Sequence, residues 1–200
     1  MVMIPDNSRE ALDELMKSAE LLARTAMQSQ GEVSPTLLMK GAGGIGLLQP
    51  KTLADDNEKD KFVLVGRLAC IAHGAVATVL VTESWMLSPQ AGEKLDMSVP
   101  PSKSPDRQEV ITIIGETRQG HSQKILTIER SAEGKFVGFG QRPDMEAHDV
   151  TIKGRFSQFL SHNVPDEEAR ELAKEAMKRI GLSRQQEMEE KRNRGLGRSL

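Results

Sequence analysis

The residue types able to move a proton or attack a substrate gather around two strand ends. Thr82-Glu83-Ser84-Trp85 closes a β-branched run, and Glu116 and His121 flank the turn Arg118-Gln119-Gly120. Two carboxylates, a hydroxyl and an imidazole are the parts of a hydrolase-type site, so Glu83, Ser84, Glu116 and His121 are its candidate catalytic residues. Asp106 and Arg107 at a strand start supply a further acid and an anion clamp. A serine nucleophile also needs a histidine within hydrogen-bond reach and a carboxylate to orient it, and the G-x-S-x-G turn is missing. The signs lean away from an enzyme, with the hydrolase reading kept as the alternative.

Cys70 and His73 stand three apart on an apolar helical stretch, where they share a face and are candidate metal ligands. Two ligands do not complete a site: the other histidines, His121, His148 and His162, are scattered and no second cysteine exists. A packed thiol and a histidine at a helix C-terminus are the expectation, with no metal. Gly41-Ala42-Gly43-Gly44-Ile45-Gly46 satisfies G-x-G-x-x-G, but Pro50 would interrupt the helix that must follow a dinucleotide-binding turn. A glycine-rich turn and no cofactor are therefore expected. The C-terminal stretch holds Lys191, Arg192, Arg194 and Arg198, candidate contacts for nucleic acid, among Glu187, Glu189 and Glu190, which dilute the field.

Trp85 is the lone tryptophan, followed by Met86 and Leu87, and the three form the candidate partner-binding surface. Aromatic residues make up only 3% of the 200-residue chain, and the net charge is −2, which together argue against nucleic-acid binding. One cysteine precludes an intrachain disulfide and suits a reducing compartment, and no apolar run approaches the roughly 18 residues of a membrane span. A cytoplasmic location with no membrane partner is expected.

These residues must be positioned by a scaffold, and periodicity outlines it. Leu12, Leu15, Ala19, Leu22 and Ala26 draw one stripe on a helix over about 8–29, with Asn7 as N-cap and Glu10 completing a capping box. Short runs at 36–39 and 45–49 flank the glycines as a hairpin. A helix rich in Phe62, Val63, Leu64, Val65 and Leu68 begins after Asp55 and ends at Gly74, apolar over most of its circumference. The run 75–87 reads as an interior strand covered on both faces. Residues 88–107, with four prolines, read as a long surface loop.

Two alternating strands at 108–117 and 121–130 follow. A two-residue loop at Gln119-Gly120 pairs Ile111 with Ile128 and Glu109 with Arg130, whereas a three-residue loop sets Glu109 opposite Glu129; the first is preferred. A short strand over 135–140 precedes an irregular crossing at 141–164 that has room for one short strand. The last helix starts near Pro165, buries Ala169, Leu172, Ala173, Ala176, Met177 and Ile180, and stops at Gly181.

The expected architecture is α+β: an antiparallel β-meander sheet with helices packed mainly on one face, in the order helix, hairpin, helix, three to four strands, helix. One domain spans 1–181, and 182–200 is a frayed helical extension running into a mobile mixed-charge tail. The element order is similar to that of Roadblock-type and profilin-like domains, a likeness of topology with no shared motif. The functional expectation is a small soluble cytosolic binding or regulatory protein, acting through protein–protein contacts and able to form a homodimer or other homo-oligomer. Contact with nucleic acid through the tail is the weakest alternative.

Overall fold

The computed structural model describes residues 7–50, 52–87, 103–150 and 154–196, the backbone alone for 141–150 and 182–196. The elements are α1 (Ser8–Gln30), β1 (Thr36–Gly41), β2 (Gly44–Leu48), α2 (Asp56–His73), β3 (Ala77–Leu87), β4 (Arg107–Thr117), β5 (His121–Arg130), β6 (Phe136–Val150) and α3 (Glu167–Leu196). The strands form one antiparallel sheet in the order β2-β1-β3-β4-β5-β6, so the chain is an α+β protein with the expected sequence of elements.

Side chains alternate across a strand, and β1 and β3 are apolar on both sides, so each face of the sheet has its own core. On one face Leu38, Ala77, Val79, Val81, Ile111, Ile113 and Leu126 pack with Leu12, Leu15, Ala19, Ala23 and Met27 of α1. On the other, Leu37, Met39 and Leu80 pack with Phe62, Val63, Ala69 and Cys70 of α2 and with Phe159 and Leu160. The helices therefore divide between the faces, which refines the one-sided packing expected from periodicity. Two cores also account for α2's broad apolar circumference, since α3 covers a further side of it.

Local chemistry fixes the ends. Asp55 caps α2 by accepting from the Glu58 N–H at 2.8 Å, and Gly74 closes it in the left-handed conformation. At α1 the expected capping box does not form: Asn7 makes no side-chain bond to the helix, and only its carbonyl receives the Ala11 N–H at 3.0 Å. The glycine-rich motif is the β1–β2 turn, with Gly41 paired to Gly44 and a second strand where a dinucleotide site needs a helix. Gly41 is required for contact, because a Cβ there would lie 2.4 Å from the His73 carbonyl oxygen.

Three expectations need correction. The β4–β5 pairing sets Ile111 opposite Leu126 and Glu116 opposite His121, matching neither proposed register. The Thr117 N–H bonds Gly120 O at 2.9 Å, and Thr117 Oγ1 accepts the Gln119 and Gly120 N–H groups, so the loop is Arg118-Gln119. The slip from the preferred register is two residues, which keeps every side chain on its face, although Ile113 then stands opposite Lys124 rather than Leu126. The segment beyond 140 is strand to Val150, extended by pairing with β5 through three register shifts. Finally, α3 continues through Gly181 to Leu196; a helical glycine costs only about 1 kcal/mol, and Gln, Glu, Met, Lys and Arg dominate beyond it. Within α3, Ala173 is buried and Leu172 faces solvent.

Candidate functional site

β3 and β4 outrun their neighbours. β1 pairs with β3 only as far as Val81, and β5 pairs with β4 only from Val110, while β3 and β4 remain paired out to Leu87 and Arg107. The result is a two-stranded ribbon projecting past the sheet, at the end where α1 terminates. The connection beyond its tip includes 88–102, so most of the loop expected at 88–107 lies outside the described residues.

Glu83, Trp85, Arg107 and Glu109 share one face of this ribbon, the face that α1 covers farther along. At its base the Arg130 guanidinium grips Glu109 through two bonds, Nε at 2.6 Å and Nη2 at 2.8 Å, and Nη2 also donates to the Gly31 carbonyl at 3.2 Å. Such bidentate pairing fixes geometry as well as charge. Glu83 accepts the Val33 N–H at 3.0 Å, so the chain leaving α1 is tied to both strands. Burial pushes the Glu83 carboxyl above the usual glutamate range, and the neighbouring Glu109 carboxylate pushes in the same direction; Arg130 holds Glu109 below that range. The two acids act as a unit in which Glu83 holds its proton more tightly than Glu109 does.

Beyond this clasp Trp85 is 42% exposed, and the Arg107 guanidinium lies 4.5 Å from its ring centroid. An indole on this face would be covered by α1 if it stood nearer the sheet centre. At the ribbon it presents a wide apolar ring with a cation stacked on it, a combination suited to gripping another surface. Met86 and Leu87 beside it are half-buried.

The structure separates the four hydrolase candidates. Glu83 and Ser84 are successive strand residues and point to opposite faces; Ser84 Oγ lies 3.1 Å from Thr112 Oγ1. Glu116 is five residues along β4 from Ile111, the partner of Glu83, a separation of roughly 17 Å. Glu116 is buried, at 6% exposure, and its two oxygens accept the Phe159 N–H at 2.9 Å and the Leu160 N–H at 3.1 Å. His121 is the cross-strand partner of Glu116 and lines a cavity of about 110 Å³ with Ser8, Thr117 and Gln119. Its Nε2 is buried without a hydrogen bond among the described residues. Only Glu116 and His121 are brought together, and Asp106 and Arg107 lie at the opposite end.

Cys70 is buried, and desolvation with the nearby Glu116 charge pushes its thiol up to about 12. His73 is turned away from that core and donates through Nε2 to the Gly44 carbonyl at 3.0 Å. Among the described residues no group of three or more His, Cys, Asp or Glu is arranged to hold a metal ion. Of the tail candidates, Lys191, Arg192 and Arg194 fall on α3, where only the backbone is described, and Arg198 lies outside the described residues, as does the side chain of His148.

The residues that sequence reasoning missed are Arg107 as the cover of Trp85 and Val33 and Gly31 as backbone anchors of the acids. The Glu109–Arg130 pair was signalled by opposite charges on adjacent strands. No helix among the described residues is long and apolar enough to cross a membrane. No protein-family model, curated protein or solved structure matches the chain, so geometry alone carries the functional argument.

Proposed function

We propose that this is a protein-binding module whose contact element is the β3–β4 ribbon, with Trp85 as its anchor, Arg107 and Leu87 beside it on the same face, and Met86 on the reverse face. The observation that carries the reading is the half-exposed, cation-stacked Trp85 on a ribbon that projects past the sheet and is clamped at its root by Glu83, Glu109 and Arg130. Rigid placement of a large ring lowers the ordering cost of binding, and tryptophan and arginine are the side chains on which interface energy concentrates. A cytosolic regulatory role acting through another protein fits this reading.

Affinity capture with the full chain, comparing wild type with Trp85→Ala and Arg107→Ala, tests it. Truncating an anchor costs about 2 kcal/mol or more of binding, near a thirtyfold weakening, so captured partners should disappear from the Trp85→Ala sample while its thermal midpoint stays within a few degrees of wild type. A Trp85→Ala chain that captures the same proteins in the same amounts would remove the proposal. A large loss of stability would instead make Trp85 part of the core.

A further inference from the structure

The two outer strands of the sheet are built differently. β6 carries Arg142, Pro143, Asp144, Glu146 and Asp149, the charges and proline by which edge strands resist pairing. β2, at the other edge, has none of these protections: from Gly41 to Pro50 the chain holds no charge, and β2 pairs with β1 in an unbroken register with no bulge. Alternate residues of β2 therefore aim their N–H and C=O groups outward along a straight, neutral edge. Its outward side chains are apolar, Ile45 being 45% and Leu47 55% exposed.

Open grooves border this edge on both sides. One, of about 440 Å³, runs beside Leu47 and Leu48 and is floored by Met39, Ala69, Ala72 and Met177. The other, of about 570 Å³, lies between α1 and Gln49 and includes the exposed Leu21.

We propose that β2 pairs with β2 of a second copy of this chain, antiparallel and about a twofold axis through Gly46, joining two sheets into one. The sequence of the edge selects this occupant, because it is complementary to itself in this register. Cross-strand partners share a face, and Ile45 lies opposite Lys40 and Leu47 opposite Leu38, so both exposed side chains are on the α1 face. With Gly46 on the axis, Ile45 of each copy meets Leu47 of the other, which covers both exposed residues twice over. On the opposite face each Leu48 meets a Gly44, where no side chain competes for the space. A one-residue change of register would join the α1 face of one copy to the α2 face of the other and leave Ile45 against Gly46. This interface is separate from the ribbon and does not depend on what Trp85 binds.

Sedimentation velocity on the full chain from about 1 to about 100 µM tests the proposal. The expected result is a concentration-dependent twofold rise in mass. Ile45→Glu alone and Leu47→Lys alone should each remain monomeric, because each places a charge against an apolar partner. Their equimolar mixture should recover the dimer, since in this register the new carboxylate faces the new ammonium. Wild type that stays monomeric throughout leaves the edge to a foreign strand and overturns the proposal; dimers unaffected by either substitution, or a mixture that stays monomeric, overturn it as well. Should the variants fail to fold, amide exchange on wild type decides: protection within 44–48 must rise with protein concentration, and a constant rate refutes the pairing.

Discussion

Glu116 replaces a secondary-structure partner for a stretch of chain that has none. The segment around Phe159 and Leu160 is neither helix nor strand, yet both side chains are buried against α2, and two of its N–H groups end on this one carboxylate. Hydrogen bonds to a charged group contribute about 1.5–3 kcal/mol each, and a buried donor left unpaired costs a similar amount. Glu116→Ala should therefore destabilise the fold by about 3–5 kcal/mol, and for a chain of this size lower the thermal midpoint by roughly 6–20 °C. Glu116→Gln keeps one acceptor oxygen at similar volume and should cost about 1–2 kcal/mol. Urea denaturation with amide exchange at Phe159 and Leu160 reads both quantities, and those two amides should exchange faster in the Ala variant before the rest of the core does. A cost below about 1 kcal/mol with unchanged exchange at both amides would show that this carboxylate does not hold the segment, and the account of the second core would fail with it.

Other expectations follow from the same geometry. Because burial raises the folded-state value of Glu83, its contribution to stability is complete below the ordinary glutamate value and is lost as pH rises through the raised one. Urea titrations from pH 4 to pH 8 should therefore show Glu83→Gln gaining on wild type as pH increases, and parallel curves would refute the assignment. Glu109 runs the other way: Arg130 lowers it, so its contribution holds above the ordinary glutamate value and fades as pH falls through the depressed one, a fade that Glu109→Gln should abolish. With its thiol at about 12, native Cys70 holds at pH 8 a thiolate fraction on the order of a thousand times below that of a free cysteine. A thiol reagent should label it only after unfolding, and prompt native labelling would contradict its burial. Gly115→Ala would place a Cβ 2.6 Å from Leu12 Cδ1 and 3.0 Å from Met16 Sδ, so a loss of about 1–3 kcal/mol is expected in chemical denaturation.

What could be read from the residues beforehand was mostly periodic. α1, the β1–β2 hairpin and α2 follow from apolar spacing and glycine placement, and the continuous apolarity of 75–87 correctly marks β3 as interior. Registers were not legible at the same level: the Thr117 hydroxyl, which bonds two loop N–H groups, selects the Arg118-Gln119 turn, and nothing in the alternation of 108–130 distinguishes a shift of two. The Glu109–Arg130 attraction was visible as a pair of charges, and it forms diagonally across the strands because arginine is long enough to span the difference. That the strand runs unbroken from Phe136 to Val150 was hidden because its edge position admits proline and charge, residues that ordinarily argue against a strand. Glu83 and Glu116 drew attention as acids near strand ends, but their partners, Val33 and the 159–160 backbone, are set by chain folding that spacing does not encode.

Because β1 and β3 send neighbouring residues into different cores, Leu37 and Leu38 belong to separate hydrophobic bodies although one peptide bond joins them. The pair of strands is thus a shared wall, and a change of volume on one side reaches the other through a displacement of the backbone they have in common. Substitutions in the α1 core and in the α2 core, though far apart in the chain and never touching, should consequently be selected as correlated pairs rather than independently.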